Sequence, residues 1–147
     1  MIRNITRFDY DDVYLMLRNY RDSSGIGVVK KYDNTQHMEL VLNHIRAGAG
    51  IGLVACREDI PVGVLLAIQT PVIWDPNYYT LNELVYWMEP EARKGRLGYL
   101  LLKEYVRRAQ AMKRTGQIEA FTMTRRAGTQ VNYARFGFVP VDENWSQ

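Results

Sequence analysis

A chain of 147 residues, 47% of them apolar and 24% charged, is the size of one folded domain with a substantial core. That balance excludes a disordered polypeptide, a collagen-like fibre and a two-domain enzyme, and no apolar run approaches the ~20 residues of a membrane-spanning helix. The net charge of +3 conceals an uneven distribution: the stretch from residue 93 to residue 126 carries ten basic and two acidic residues, +8, which leaves the remainder at −5. Such a block is either the solvated face of a helix or a surface that meets a polyanion, a nucleic acid or a phosphorylated cofactor. The first residues lack the apolar run of roughly 7 to 15 that a secretory leader needs. Cys56 has no second cysteine to pair with, and His37 and His44 have no companions at metal-ligand spacing. The expectation is one cytoplasmic domain spanning residues 1–147, with no metal.

In chain order, a short strand at residues 2–6 precedes an amphipathic helix at 10–20, in which Val13, Met16, Leu17 and Tyr20 recur at helical spacing behind an Asp9 N-cap. Residues 21–33 hold two glycines and two serines without a period and read as a loop. A second helix, capped by Asn34 or Thr35, buries Met38, Val41, Leu42 and Ile45 and stops at Gly48. Residues 51–56 and 62–70 are aliphatic and β-branched, and the polar turn between them makes an antiparallel hairpin. Residues 71–80, with Trp74, Tyr78 and Tyr79, read as a loop. Residues 81–88 form a strand that is apolar on both faces from Leu84 onward, as a central strand is, and Pro90 ends it. The period of Leu97, Leu101, Tyr105, Ala109 and Met112 predicts a long helix at 97–112, closed by Lys113, Arg114 and Gly116. A strand at 118–124, a short helix at 129–135 and a strand at 138–141 complete an α/β (α+β) order of β-α-α-β-β-β-α-β-α-β.

The chemistry concentrates where the 81–88 strand meets the long helix. The run Pro90-Glu91-Ala92-Arg93-Lys94-Gly95-Arg96-Leu97-Gly98-Tyr99 feeds glycines and cations into a helix start, where unpaired N–H groups and the helix dipole favour an anion. Glycines here also fit a plain turn. The run resembles the acetyl-CoA motif of the GCN5-related N-acetyltransferases: proline, acidic, small or aromatic residue, Arg or Gln, two variable residues, Gly, one variable residue, Gly or Ala. Arg93 falls on the Arg/Gln position and Gly98 on the last glycine, while Arg96 holds the first glycine position and the glycine has moved to Gly95. A second match is Tyr133-Ala134-Arg135-Phe136-Gly137-Phe138, the family's Tyr, three residues, Gly, Phe; the asparagine often found seven residues before the tyrosine is Arg126 here. With Pro61-Val62-Gly63 at the start of the third strand, the resemblance covers nearly the whole chain.

The resemblance implies a mixed, mostly antiparallel sheet with helices on both faces, and transfer of an acetyl group from acetyl-CoA to a primary amine of a small molecule or a protein. By position, the backbone of Tyr86, Trp87 and Met88 would pair with the pantetheine arm, the amides of Lys94, Gly95, Arg96, Leu97, Gly98 and Tyr99 would hold the pyrophosphate, with Arg93 beside them, and an N–H near Met88 would face a developing oxyanion. Tyr133 falls on the family's general-acid tyrosine. Glu83, the carboxylate within the strand, is the candidate base, with Glu89 second. Several family members carry the base one position earlier, at Asn82, and a shift of one residue reverses the face unless a β-bulge intervenes. Each residue also has a plainer reading: Glu83 as a charge at a strand start, Tyr133 as a packed aromatic. The implied acceptor wall is Trp74, Tyr78 and Tyr79, which fit equally a contact in a homodimer. Two rival classes are an acyl-CoA-binding domain without catalysis and a basic nucleic-acid-binding module. Against the latter, Arg107, Arg108, Lys113 and Arg114 sit at the favourable end of one helix, and no interleaved aromatic stacking motif accompanies them.

Overall fold

The computed structural model describes residues 1–23, 32–126, 131–143 and 145. Five strands form one sheet in the order β1 (Ile2–Asn4), β2 (Gly50–Arg57), β3 (Ile60–Val72), β4 (Asp75–Met88) and β5 (Ala120–Thr122). Neighbours are antiparallel except β4 and β5, which are parallel. The antiparallel strands β2, β3 and β4 follow one another through short hairpins. The parallel pair needs a crossover, which α3 (Leu97–Arg114) supplies.

Alternation along the central strands explains why both faces are covered. Leu53, Ala55, Leu65, Ala67, Leu81 and Met88 turn to one face and pack with Leu101, Leu102, Tyr105 and Ala109 of α3. Val54, Cys56, Val64, Leu66, Val85 and Trp87 turn to the other, under Val13 and Met16 of α1 (Tyr10–Asp22) and Leu42 of α2 (Thr35–His44). The second helix is capped by Asn34, whose side chain accepts from the His37 N–H at 3.0 Å. It ends in a π-type turn, Ile45–Ala49, where Gly48 takes φ 109°, a conformation few other residues adopt.

Several expectations are corrected. Asp9 does not cap α1 with its side chain; it closes the preceding single turn, Arg7–Asp9, where its carboxylate accepts from the Thr6 N–H at 2.7 Å and from Arg3 at 2.7 and 2.8 Å. Asp9 is only 4% exposed, so this pairing offsets the cost of burying a carboxylate. Residues 71–80 are not a loop: β3 and β4 extend through them as an arm, with Pro71 opposite Tyr79 and Val72 opposite Asp75. Only Ile73 and Trp74 turn the chain, 88% and 89% exposed. The expected strand at 118–124 shortens to Ala120–Thr122. Residues 129 and 130 of the expected last helix lie outside the described residues, and its remainder is a single 3₁₀ turn, Tyr133–Phe136. No strand forms at 138–141; Phe138 packs its ring edgewise on Phe121 and Tyr133 instead. The expected closing strand is therefore absent from the described sheet.

Candidate active site

The sheet opens at one point, and only part of the candidate set lies around it. β5 pairs with β4 only over Thr80–Asn82, so the outer edge of residues 83–88 has no strand beside it among the described residues. The Glu89 N–H bonds to the Val62 carbonyl at 2.8 Å. By the alternation of an antiparallel pair, Trp87 then directs its backbone groups to β3, while Tyr86 and Met88 direct theirs outward. Of residues 86–88, Tyr86 and Met88 therefore present backbone groups to this edge, and Trp87 does not. The Met88 carbonyl is already occupied by the Arg93 Nε–H at 2.9 Å, leaving the Met88 N–H facing the opening.

A β-bulge lies in this strand. Leu66 faces Val85 and Ala67 faces Glu83, which makes Leu84 an extra residue. Three positions separate Glu83 from Tyr86, an odd interval that would set them on opposite faces of a regular strand. The bulge returns Glu83 to the α3 side, opposite Ala67 of that core. Burial there pushes the Glu83 carboxyl up to about 7, while Thr124 pulls it part of the way down. The Thr124 N–H donates to Glu83 Oε2 at 3.3 Å.

Tyr133 arrives from the other side at the same residue. Its hydroxyl donates to the Thr124 carbonyl at 3.1 Å. Desolvation, then the charge of Glu83, raises its pKa well above that of a free phenol, and Tyr86 and Tyr20 add to the effect. The two candidate proton-transfer groups therefore meet at one residue, Thr124, which sequence reasoning missed because nothing local marks it. Glu89 lies apart: both its oxygens accept from the Asn19 amide, at 3.1 and 3.2 Å, tying α1 to the strand end.

Next to the opening stands the N-terminus of α3, which no side chain caps, so the amides of Leu97, Gly98 and Tyr99 lack intrahelical partners. Gly95 takes φ 152° with open space around its missing Cβ, which leaves the turn accessible. Gly98 is small for a different reason. A Cβ there would sit 3.3 Å from Met88 Cγ and 3.5 Å from the Tyr86 hydroxyl, so glycine allows helix and strand to close on each other. The Tyr86 hydroxyl donates to the Gly98 carbonyl at 2.6 Å, and burial pushes its own pKa up to about 12. Arg93 does not reach toward this helix end: its guanidinium lies 4.6 Å over the Trp87 ring. Arg96 lies 6.0 Å over Tyr99, and Lys94 is exposed in the same turn.

The three aromatic candidates for the acceptor wall are not brought to Glu83. Tyr79 and Tyr78 lie four and five residues up the extended arm, roughly 13 and 17 Å away, and Trp74 sits at its tip. A shallow cavity of ≈ 510 Å³ on the flank of α3, bounded by Ile2, Leu100, Lys103, Val106 and Phe136 among others, contains none of the candidate residues. Among the described residues no cluster of His, Cys, Asp and Glu could hold a metal, and no helix is long and apolar enough to cross a membrane.

This opened sheet, with a helix start set against its splayed edge, is the fold of the GCN5-related N-acetyltransferases, and the resemblance seen in the motifs extends to three dimensions. A GCN5-related N-acetyltransferase from Ralstonia eutropha superposes with a TM-score of 0.75 at 17% identity, over 100% of this chain and 97% of that one. An acetyltransferase from Trypanosoma brucei gives 0.72 at 12%, again over 100% and 97%. A ribosomal-protein-alanine N-acetyltransferase from Brucella melitensis gives 0.63 at 21%, over 77% and 68%. No family model matches the sequence, and no curated protein matches it. At these identities the likeness is one of fold, and the same fold serves a protein of Bacillus halodurans named a transcriptional regulator, at 18% identity and a TM-score of 0.69.

Proposed function

We propose that the protein transfers an acetyl group from acetyl-CoA to a primary amine. The observation that carries this reading is the convergence of Glu83 and Tyr133 on Thr124, beside an open strand edge and an uncapped helix N-terminus. The residues fit the co-substrate. Tyr86 and the Met88 N–H offer strand-like pairing to an extended amide-bearing arm, and the amides of Leu97, Gly98 and Tyr99, with Lys94 and Arg96 nearby, suit a pyrophosphate. Acetyl-CoA would supply an activated acyl thioester.

The chain's own groups then have two protons to manage. An amine of pKa ~10.4 is largely ammonium at neutral pH and cannot attack until it loses a proton. Glu83, with its pKa near 7, is half ionised at neutrality and is the group that accepts that proton, directly or through a water. As the C–N bond forms and the C–S bond breaks, the Met88 N–H faces the oxygen that gathers charge, and the Tyr133 hydroxyl gives its proton to the departing thiolate. A phenol with a raised pKa stays protonated through the working range, as an acid must.

Calorimetric titration with CoA and acetyl-CoA, followed by a thiol-release assay over a panel of amines, tests the reading. Binding with turnover supports it, and absence of CoA binding overturns it. Binding without turnover would assign the chain to acyl-CoA binding alone.

A further inference from the structure

The last rung of the β4/β5 ladder is unusual in being polar. Thr122 donates its hydroxyl to Asn82 Oδ1 at 3.2 Å, and the Asn82 amide donates to Thr70 Oγ1 at 2.7 Å and Thr80 Oγ1 at 3.1 Å. This network spans three strands on the face opposite Leu81. From the other face, the hydroxyl of fully buried Tyr105 donates to the Thr122 carbonyl at 3.0 Å. Thr122 is thus held from both sides of the sheet, at the residue where backbone pairing ends.

β5 has only three residues, and a three-residue strand end frays at little cost. Beyond Thr122 the chain must nevertheless hold Thr124 between Glu83 and Tyr133 without any ladder to fix it. We propose that Asn82 and Thr122 are positioning residues: their side-chain bond fixes where β5 departs from β4, and so sets the Thr124 N–H on Glu83. The proposal rests on the reading of Glu83 as the proton acceptor only for its catalytic consequence, not for the geometry itself.

The groups around Glu83 are Thr124 on the segment after β5, Tyr20 on α1, Tyr105 on α3 and Tyr133 on the last turn; the three phenols are neutral near pH 7. Arg126 acts on Tyr20 and Arg125 on Tyr133, from the same segment as Thr124. Because the Thr124 contact favours the ionised carboxylate, loosening it should raise the Glu83 titration midpoint.

The test is the Glu83 carboxyl titration, followed by NMR on protein labelled with carboxyl-¹³C glutamate and assigned with Glu83→Gln. Thr122→Val, which keeps shape and strand preference but removes the hydroxyl, should raise the midpoint by about half a pH unit. Thr122→Ser should restore it. Thr70→Val, which removes one anchor of Asn82, should shift it the same way by less, and serves if Thr122→Val folds poorly. An unchanged midpoint in Thr122→Val, or equal shifts in the Val and Ser variants, overturns the proposal. A midpoint that rises while the acid limb of kcat/KM stays in place upholds the positioning role and removes Glu83 as the base.

Discussion

Replacing Glu83 by glutamine should make the protein more stable while removing the pH-dependent part of its turnover. In the folded chain the carboxyl sits at about 7 against an ordinary 4.5, because burial disfavours its charge. Each unit of displacement is worth about 1.4 kcal/mol, so ionising Glu83 takes about 3 kcal/mol from the fold. The folded state binds this proton more tightly than the unfolded state does. The contribution is therefore complete below pH 4.5, declines as the pH rises, and is gone above 7. Glutamine pays no such penalty at any pH. Urea denaturation of both proteins at a series of pH values should show a difference near zero at pH ~4.5, growing to about 3 kcal/mol in favour of the variant at pH ~8.5. Other titrating groups cancel in that difference provided they do not couple to Glu83. A difference that stays flat between these limits, or a wild type that is the more stable at the alkaline end, would refute the burial argument.

Tyr133→Phe should retain CoA affinity by calorimetry while turnover falls by about 10² or more, the usual worth of a general acid; equal loss of binding and rate would show that the ring, not the hydroxyl, matters. Arg3→Ala strips the partner from the buried Asp9 carboxylate and should cost about 3 kcal/mol in chemical denaturation. Since Arg3 holds the Asp9 carboxyl below its usual range, that contribution is present above pH ~4 and disappears as the pH falls through the depressed value, so the variant's deficit should narrow in acid. Gly50→Ala drives a Cβ into the Ala67 carbonyl oxygen, a backbone atom that cannot step aside, and should destabilise by about 3 kcal/mol; a wild-type denaturation midpoint would show that the two strands have room to part there.

What could be read from the residues depended on how local its cause was. The strands flanking Glu58 and Asp59 were legible because aliphatic residues on both faces leave few alternatives for a short apolar run, and the polar pair between them takes φ 51° and 65° as a tight hairpin turn does. The arm was misread because Pro71, Asp75, Pro76 and Asn77 are turn formers by composition. In the fold only Ile73 and Trp74 turn, and the prolines are tolerated where the arm stands clear of other strands. Residues 138–141 read as a strand, but Phe138 finds its burial against Phe121 and Tyr133 without a ladder. At the site, the resemblance pointed to Tyr133 and the α3 start, and Glu83 stood out as the carboxylate within the strand. Neither could show that Arg93 lies over Trp87, that Tyr86 grips Gly98, or that Thr124 joins the two proton-transfer groups, since each is a contact between side chains and backbone that only the folded sheet brings together.

The extra residue at Leu84 has a consequence for which changes this strand can absorb. Substituting Leu84, whose side chain is largely exposed, alters little else. Deleting it would set Glu83 directly beside Val85 in an unbroken pleat, and because Leu66 already faces Val85 and Ala67 already faces Glu83, every other side chain from Leu81 to Met88 would keep its present face. The bulge is therefore spare length, which the strand can lose without exchanging its two cores. Deletion of Leu84 should yield a folded protein, and a variant that fails to fold would show that the bend of the bulge is itself required.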